Sequence, residues 1–180
     1  PAGKTIGLVG PDGVGKSTLL SIMAGVKRIQ SGQVQVLGLD LADTAKRQAL
    51  SPRIAFMPQG LGKNLYPTLS VFENIDFFAR LRMVPPERLR ERKERLLEVT
   101  RLNAFRARPA GQLSGGMKQK LGLICTLIHA PRLIILDEPT TGVDPVSRRD
   151  FWLILAQLIH TEQITALIST AYLDEASRFD

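Results

Sequence analysis

The chain has 180 residues, of which 44% are hydrophobic and 23% charged, which is the composition of an ordinary globular protein with a real core. No apolar run approaches the roughly 18 residues of a membrane-spanning helix, and the N-terminus lacks the charged-then-apolar pattern of a secretory signal. The single cysteine, Cys125, lies in an apolar run and is interpreted as a reduced core residue, which fits the cytosol.

The net charge of +7 is concentrated in one segment. Residues 80–108 contain ten Lys or Arg and four Glu, a net charge of +6. One interpretation is a solvated helix face with ion pairs such as Glu91–Arg95, and the other is a surface for lipid headgroups or ribosomal RNA. No aromatic residue interleaves with the charges of residues 80–101, which argues against a base-stacking site. Specific DNA binding is not expected.

The first part of the chain alternates between short strands and a helix. In chain order we predict a strand at Lys4–Val9, a helix at Lys16–Gly25, an alternating strand at Val34–Leu37 closed by a glycine, a strand at Ile54–Met57 and a loop at Asn64–Ser70.

The middle of the chain is predicted to be helical. Helices are expected over Val71–Leu81, from Pro86 to about Thr100, and from a cap at Ser114 to about Ile128. Residues 64–130 therefore read as an all-helical subdomain inserted in a core formed by residues 1–63 and 131–180.

The last part returns to alternation, with a buried strand at Leu133–Leu136, a helix at Ser147–His160, a buried strand at Ile164–Ser169 and the start of a helix at Leu173–Phe179. Strands that alternate with helices predict an α/β fold, with a mainly parallel sheet and helices on both faces.

A glycine-rich loop, Gly10–Ser17, lies between the first strand and the first helix. It matches the pattern G-x-x-x-x-G-K-[ST], whose backbone N–H groups wrap nucleotide phosphates at a helix N-terminus. Lys16 is predicted to reach the β- and γ-phosphates, and the Ser17 hydroxyl is predicted to ligate Mg²⁺. The candidate nucleotide-binding residues are Gly10, Pro11, Asp12, Gly13, Val14, Gly15, Lys16, Ser17 and Thr18.

Two carboxylates, Asp137 and Glu138, follow the buried strand at Leu133–Leu136. At the carboxyl edge of a parallel sheet they are expected to face the ligand crevice. Asp137 suits a water-mediated contact to Mg²⁺, and Glu138 suits positioning and deprotonating the attacking water. Phosphoryl transfer depends mostly on positioning and charge stabilisation, so Glu138 and Lys16 are the first catalytic candidates.

A third motif, Leu113-Ser-Gly-Gly-Met-Lys-Gln119, opens the last helix of the middle segment. With the glycine-rich loop and the Asp-Glu pair, it makes the chain resemble, over its whole length, the nucleotide-binding domain of ATP-binding cassette (ABC) ATPases, which have a P-loop NTPase fold. The resemblance implies ATP and Mg²⁺ as ligands. It also implies a head-to-tail pair in which this motif binds the γ-phosphate of ATP held by a second cassette. The signature residues are Leu113, Ser114, Gly115, Gly116 and Met117.

Two more positions match motifs of this family. Gln59 corresponds to a glutamine that touches Mg²⁺ and the attacking water, so it is both a catalytic and a metal-binding candidate beside Ser17 and Asp137. The loop Thr140–Asp144 matches the segment through which paired cassettes communicate, with Asp144 as its acidic residue.

The chain also departs from the family pattern. The position of a histidine that contacts the γ-phosphate is occupied by Ala171, so slow hydrolysis or dependence on a partner is expected. The family's adenine-stacking aromatic and its last strands and helices are not found, which indicates a domain truncated at both ends.

The resemblance leaves three hypotheses about the whole machine. The signature helix and the Thr140–Asp144 loop look most like ATPases that drive small multidrug or polysaccharide exporters, acting with a transmembrane permease at the cytoplasmic face of the membrane. The basic segment and Ala171 also suit the first cassette of a bacterial ribosome-associated ABC ATPase family. A weakly hydrolysing, regulatory ATP-binding cassette is the third hypothesis.

Overall fold

The computed structural model describes residues 3–60, 62–172, 175 and 179. The strands are β1 (Thr5–Val9), β2 (Gln35–Val36), β3 (Leu39–Asp40), β4 (Ile54–Met57), β5 (Leu133–Asp137) and β6 (Thr165–Thr170). The helices are α1 (Lys16–Met23), α2 (Thr44–Leu50), α3 (Val71–Leu81), α4 (Pro86–Thr100), α5 (Gly115–Leu127) and α6 (Pro145–Glu162). The helix predicted over residues 173–179 falls on a stretch of which only Glu175 and Phe179 are described.

Four strands form a parallel sheet in the order β1-β6-β5-β4. Because all four run in the same direction, the loops that follow them leave from one edge of the sheet. That edge therefore collects the glycine-rich loop after β1, Gln59 after β4, Glu138 after β5 and Ala171 after β6. The predicted parallel α/β sheet is confirmed.

Helices cover both faces of this sheet. Ile134 and Leu136 of β5 belong to a buried cluster with side chains of α5 and α6, whereas Leu133 and Ile135 belong to a second cluster that contains Leu20 of α1. The alternation along β5 follows from the two-residue period of a strand, and it explains why its first four residues, Leu133–Leu136, are all apolar.

The middle helices pack on one another and on the sheet. Ser70 and Glu73 form a capping box at the start of α3, and Ser114 caps α5. Since α5 contacts β4 as well as α3 and α4, the helical segment and the sheet share one hydrophobic cluster. The division into a core and a subdomain at 64–130 stays a prediction.

Cys125 lies inside this cluster, as predicted, and burial raises the pKa of its thiol well above the usual range. None of the helices in the described part of the chain has the length and apolar character needed to cross a bilayer.

Two local features differ from prediction. The single strand expected at 34–37 is instead a small antiparallel hairpin of β2 and β3, which turns at Leu37 and Gly38 with φ values of 50° and 77°. Helix α2 was not predicted, and Asp43 caps it by accepting hydrogen bonds from the amides of Ala45 and Lys46.

Candidate active site

The glycine-rich loop connects the end of β1 to the start of α1. Gly13 and Gly15 have φ values of 83° and 100°, in the left-handed region that favours glycine, and Gly15 is the residue that precedes the first turn of α1. The sequence therefore needs glycine at these two positions to turn the chain from the strand into the helix.

A cleft of about 410 Å³ lies in front of this loop. It is lined by Asp12, Gly13, Gly15, Lys16, Ser17, Thr18, Gln59 and Glu138. Three segments far apart in sequence thus meet here, which is the arrangement that the motifs predict. Gly10, Pro11 and Val14 belong to the same loop but are not among the residues that line the cleft, and Val14 is exposed.

Lys16 is buried and points across its own loop. Its Nζ donates hydrogen bonds to the carbonyl oxygens of Gly10 (2.7 Å) and Pro11 (2.9 Å). The same ammonium lies 3.4 Å from Oε1 of Glu138 and 3.7 Å from Oδ1 of Asp12. The cation is therefore held between the loop and the carboxylate at the end of β5.

Glu138 is buried, with its carboxylate oriented by two side chains. Gln59 Nε2 donates to its Oε2 at 2.6 Å, and Thr141 Oγ1 donates to the same oxygen at 3.2 Å. Its backbone has a φ of 45°, which an L-residue with a side chain adopts at a cost of order 1–3 kcal/mol. The Glu138 amide donates to the carbonyl oxygen and to Oγ of Ser169, which fixes this residue to β6.

Asp137 lies behind Glu138 rather than on the wall of the cleft. It is 3% exposed, and its Oδ1 accepts a hydrogen bond of 2.6 Å from Ser169 Oγ. This placement fits the water-mediated role predicted for Asp137 better than direct coordination.

The residues present fit Mg²⁺ held together with a nucleotide. The described residues contain no group of three or more His, Cys, Asp or Glu side chains that could bind a metal by themselves. Mg²⁺ that accompanies a nucleotide needs only one or two protein oxygens, and Ser17 and Gln59, which both line the cleft, offer them.

The signature residues do not line this cleft. Leu113 is buried, and the exposed Ser114 caps α5 by accepting a 3.3 Å hydrogen bond from the Met117 amide. Gly115 opens α5, and a Cβ on Gly116 would come within 2.5 Å of Ser147 in α6. The signature turn therefore packs closely on the start of α6.

Asp144, the candidate for domain communication, caps α6 from an exposed position. Its Oδ1 accepts a 2.9 Å hydrogen bond from the Ser147 amide, and this bond, with a second one from the Ser147 side chain, lowers the pKa of the Asp144 carboxyl. Ser147 thus contacts both the signature turn and the Asp144 loop. Helix α5 also reaches the loop after Glu138, because Gln119 Nε2 donates to the carbonyl oxygen of Pro139.

Ala171 is exposed directly after β6 and has no group that could donate to a phosphate. Neither histidine of the chain lines the cleft, since His129 contacts the start of β4 and His160 lies in α6. Neither histidine therefore supplies the phosphate contact that the sequence analysis predicts to be missing at Ala171.

Three residues of the site were missed by the sequence analysis. Thr141 and Ser169 contact the Asp137–Glu138 pair, and Glu175 binds the loop that follows it. Thr141 could have been suspected from its place three residues after Glu138. Ser169 and Glu175 are more than thirty residues away, and only the strand pairing brings them near.

Comparison with known proteins identifies the family. Residues 1–141 match the family model described as ABC transporter. The chain belongs to the ABC transporter family. This ABC cassette is 48% identical over 177 residues to the probable multidrug ABC transporter ATP-binding protein YbhF of Escherichia coli, covering 98% of this chain and 30% of that protein.

Two further comparisons agree. The cassette is 36% identical over 176 residues to the Nod factor export ATP-binding protein I of Ralstonia nicotianae, covering 98% of this chain and 53% of that protein. It superposes on the dimeric, post-hydrolysis ATP-binding cassette MJ0796 bound to ADP and Pi with a TM-score of 0.83 and 25% identity, over 98% of this chain and 78% of that one. The chain thus spans between about a third and about half of the two curated relatives, and the P-loop NTPase fold is confirmed.

Proposed function

We propose that this ABC cassette binds ATP with Mg²⁺, hydrolyses it and powers export by a membrane subunit. The observation that carries the proposal is the meeting of Lys16, Gln59 and Glu138 in one cleft at the glycine-rich loop. Export is supported by the names of the two relatives, which refer to multidrug transport and to Nod factor export.

The glycine-rich loop, Gly10–Thr18, binds the phosphates through its amides and the N-terminus of α1. Lys16 stabilises negative charge on the β- and γ-phosphates. Ser17 and Gln59 would hold Mg²⁺, and Asp137 would act on it through water. When bound, the ion neutralises charge that builds up on the phosphate oxygens.

Glu138 orients the attacking water and accepts its proton. The hydrogen bonds from Gln59 and Thr141 hold Oε2, so the carboxylate keeps one orientation toward the cleft. The ammonium of Lys16 lies 3.4 Å from the other carboxylate oxygen, Oε1, so both oxygens of Glu138 have a partner within the site.

The cassette works as a head-to-tail pair. Its signature residues lie away from its own cleft, which leaves them available for the nucleotide of a second cassette, and the similar MJ0796 cassette is dimeric with ADP and Pi bound. Residues Leu113–Met117 then contact the phosphates of the nucleotide bound by the partner. Asp144 couples the two sites, so that nucleotide binding at one affects the other. The cassettes act at the cytoplasmic face of the membrane, where closure of the pair drives a conformational change in a transmembrane permease.

Ala171 favours a second candidate, a regulatory cassette that binds ATP and hydrolyses it weakly.

The ribosome-linked hypothesis loses support, because much of the positive charge of the basic segment, residues 80–108, is neutralised by ion pairs within the fold. Arg92 and Arg95 pair with Glu162 of α6 rather than with a glutamate of their own helix, and Lys93 pairs with Asp76.

The proposed function is tested with Glu138→Gln in the full-length protein that contains this chain. If Glu138 is the base, the variant should lose at least about 100-fold in ATP turnover and accumulate as an ATP-bound pair, measured by size-exclusion chromatography with retained nucleotide. Glu98→Gln, an exposed change in α4, is the matched control and should behave as wild type. Unchanged turnover in Glu138→Gln would remove Glu138 from the role of base.

A further inference from the structure

A second buried carboxylate, Glu175, lies beside the site and has no part in the steps above. It is 1% exposed, and it accepts hydrogen bonds from Thr140 Oγ1 (2.6 Å), Thr170 Oγ1 (2.6 Å) and Trp152 Nε1 (3.1 Å). Burying a carboxylate costs free energy unless its oxygens accept hydrogen bonds. The three donors around Glu175 offset that cost, which indicates that the fold holds this carboxylate in a defined position.

The three donors belong to three different elements. Thr140 lies two residues after Glu138, Thr170 ends β6 next to Ala171, and Trp152 belongs to α6. Oε1 of Glu175 bonds both Thr140 and Trp152, while Oε2 bonds Thr170. One side chain therefore joins the loop after β5 to the end of β6 and to the helix behind them.

This junction lies next to a strained residue. The left-handed backbone of Glu138 persists only if the neighbouring chain holds it on both sides. On one side its amide is bonded to Ser169 of β6. On the other side, Glu175 fixes Thr140 to the same strand through Thr170.

We infer that Glu175 is a positioning residue for ATP hydrolysis, which sets the place of Glu138 by clamping Thr140 to the end of β6. It acts through Glu138 and touches neither nucleotide nor water. Arg148 lies 3.9 Å from Glu175 Oε1 and stacks over Tyr172, so the buried charge also has a nearby cation. The inference rests on the proposed function, because a clamp on Glu138 matters only if Glu138 takes part in hydrolysis.

The test removes one donor and keeps the carboxylate, since loss of the buried Glu175 itself would endanger folding. Thr140→Val, made in the full-length protein, has nearly the same shape but cannot donate to Glu175. We expect kcat for ATP to fall about tenfold with little change in KM, because small misplacement of a reacting group is costly while the phosphate loop is untouched. Trp152→Phe removes the donor from α6 and should leave kcat within about twofold.

Fluorescence gives a second readout. Trp152 shares Oε1 of Glu175 with Thr140, and it is the single tryptophan of this chain. The emission difference between wild type and Trp152→Phe isolates its signal. Addition of ATP and Mg²⁺ should change this signal in the wild type, and the change should be lost or strongly reduced in Thr140→Val.

The outcomes separate the two proposals. Unchanged kcat in Thr140→Val, or an equal loss of kcat in Thr140→Val and Trp152→Phe, would overturn the positioning role of Glu175. Absence of ATP turnover in the wild type would instead overturn the proposed function. If the wild type does not turn over ATP, fluorescence still tests the second proposal. An ATP-induced emission change that persists in Thr140→Val would overturn the coupling of Glu175 to the nucleotide site through Thr140.

Discussion

Ala171 stands at the position where the resemblance to the family predicts a histidine that contacts the γ-phosphate. It follows Thr170, whose hydroxyl is bonded to Glu175, so the backbone at this position is held although the side chain offers no donor. In the proposed function, charge on the γ-phosphate would be stabilised by Lys16 and the glycine-rich loop without help from the residue after β6. The remaining machinery argues for slow hydrolysis rather than none.

Restoring an imidazole at this position should therefore accelerate hydrolysis. For Ala171→His we expect turnover at saturating ATP to rise about tenfold, because a positioned donor on developing charge is worth one or more powers of ten in rate. Ala171→Leu adds bulk without a donor and is the matched control. If the histidine variant turns over no faster than wild type, the missing imidazole does not limit the rate.

The residues of the site were predictable where the signal is local. Lys16 and Ser17 stand in one short motif, and Asp137 and Glu138 end one apolar strand. The partners of Glu138 were not predictable in the same way. Ser169 contacts it because β5 and β6 are neighbours, and no spacing along the chain encodes that pairing.

Among the elements, α5 and β4 are connected by a half-buried histidine. His129 follows the end of α5, and its Nε2 donates to the carbonyl oxygen of Ile54, the first residue of β4, at 3.1 Å. The pKa of His129 is lowered to about 4, mainly by burial. The hydrogen bond to Ile54 acts in the raising direction, and the nearby charges of Arg82 and Arg92 add to the lowering. The imidazole is therefore neutral at physiological pH.

A depressed histidine pKa makes stability depend on pH. Between about pH 6.5 and pH 4 the unfolded chain binds a proton that folded His129 does not bind, so stability falls as pH falls and is fully present only above about 6.5. We expect proton binding by this histidine in the unfolded chain to lower the free energy of unfolding by about 2 kcal/mol between pH 7.5 and pH 4.5.

Urea unfolding at the two pH values measures this effect. His129→Gln keeps an amide donor for Ile54 but cannot be protonated, so it should lose about 2 kcal/mol less than wild type does. His160→Gln, at an exposed position in α6, is the matched control and should follow wild type. Equal pH dependence in wild type and His129→Gln would contradict the assignment.

The elements that were predicted well are those with strong caps or continuous apolar runs. Helix α3 begins at a capping box, and β5 is apolar up to its last residue, Asp137, so both were placed to within a residue. Helix α2 was missed because only Leu50 of its seven residues is buried, which leaves no apolar periodicity. The β2–β3 hairpin was missed because two-residue strands are too short to show alternation.

At the scale of the whole molecule, the proposed pair would take half of each of its two sites from each cassette. The cleft holds Lys16 and Glu138, whereas Ser114 lies exposed at the start of α5 and outside the cleft. In the proposed pair each ATP contacts the cleft of one cassette and the signature of the other. Hydrolysis should therefore require two chains, with different residues supplied by each.

Mixing two defective variants tests this arrangement. Lys16→Ala damages the cleft, while Ser114→Asp keeps a helix-capping residue and repels the partner's phosphate. For a pair of identical cassettes, an equal mixture should regain about a quarter of wild-type turnover, because half of the pairs are mixed and each mixed pair has one intact site. Each variant alone is the control, and a mixture no more active than either one would exclude sharing of sites between chains.

The contacts at the start of α5 and α6 have a consequence for how a pair responds to nucleotide. Gly116 packs against Ser147, and Gln119 donates to Pro139, the residue after Glu138. Nucleotide bound in the partner's cleft would contact the signature turn of this cassette. Through α5, that contact would affect the position of Glu138 in this cassette's own cleft. Turnover would then rise with ATP concentration more steeply than a single hyperbola, with a Hill coefficient above one, because filling either site helps to arrange the other.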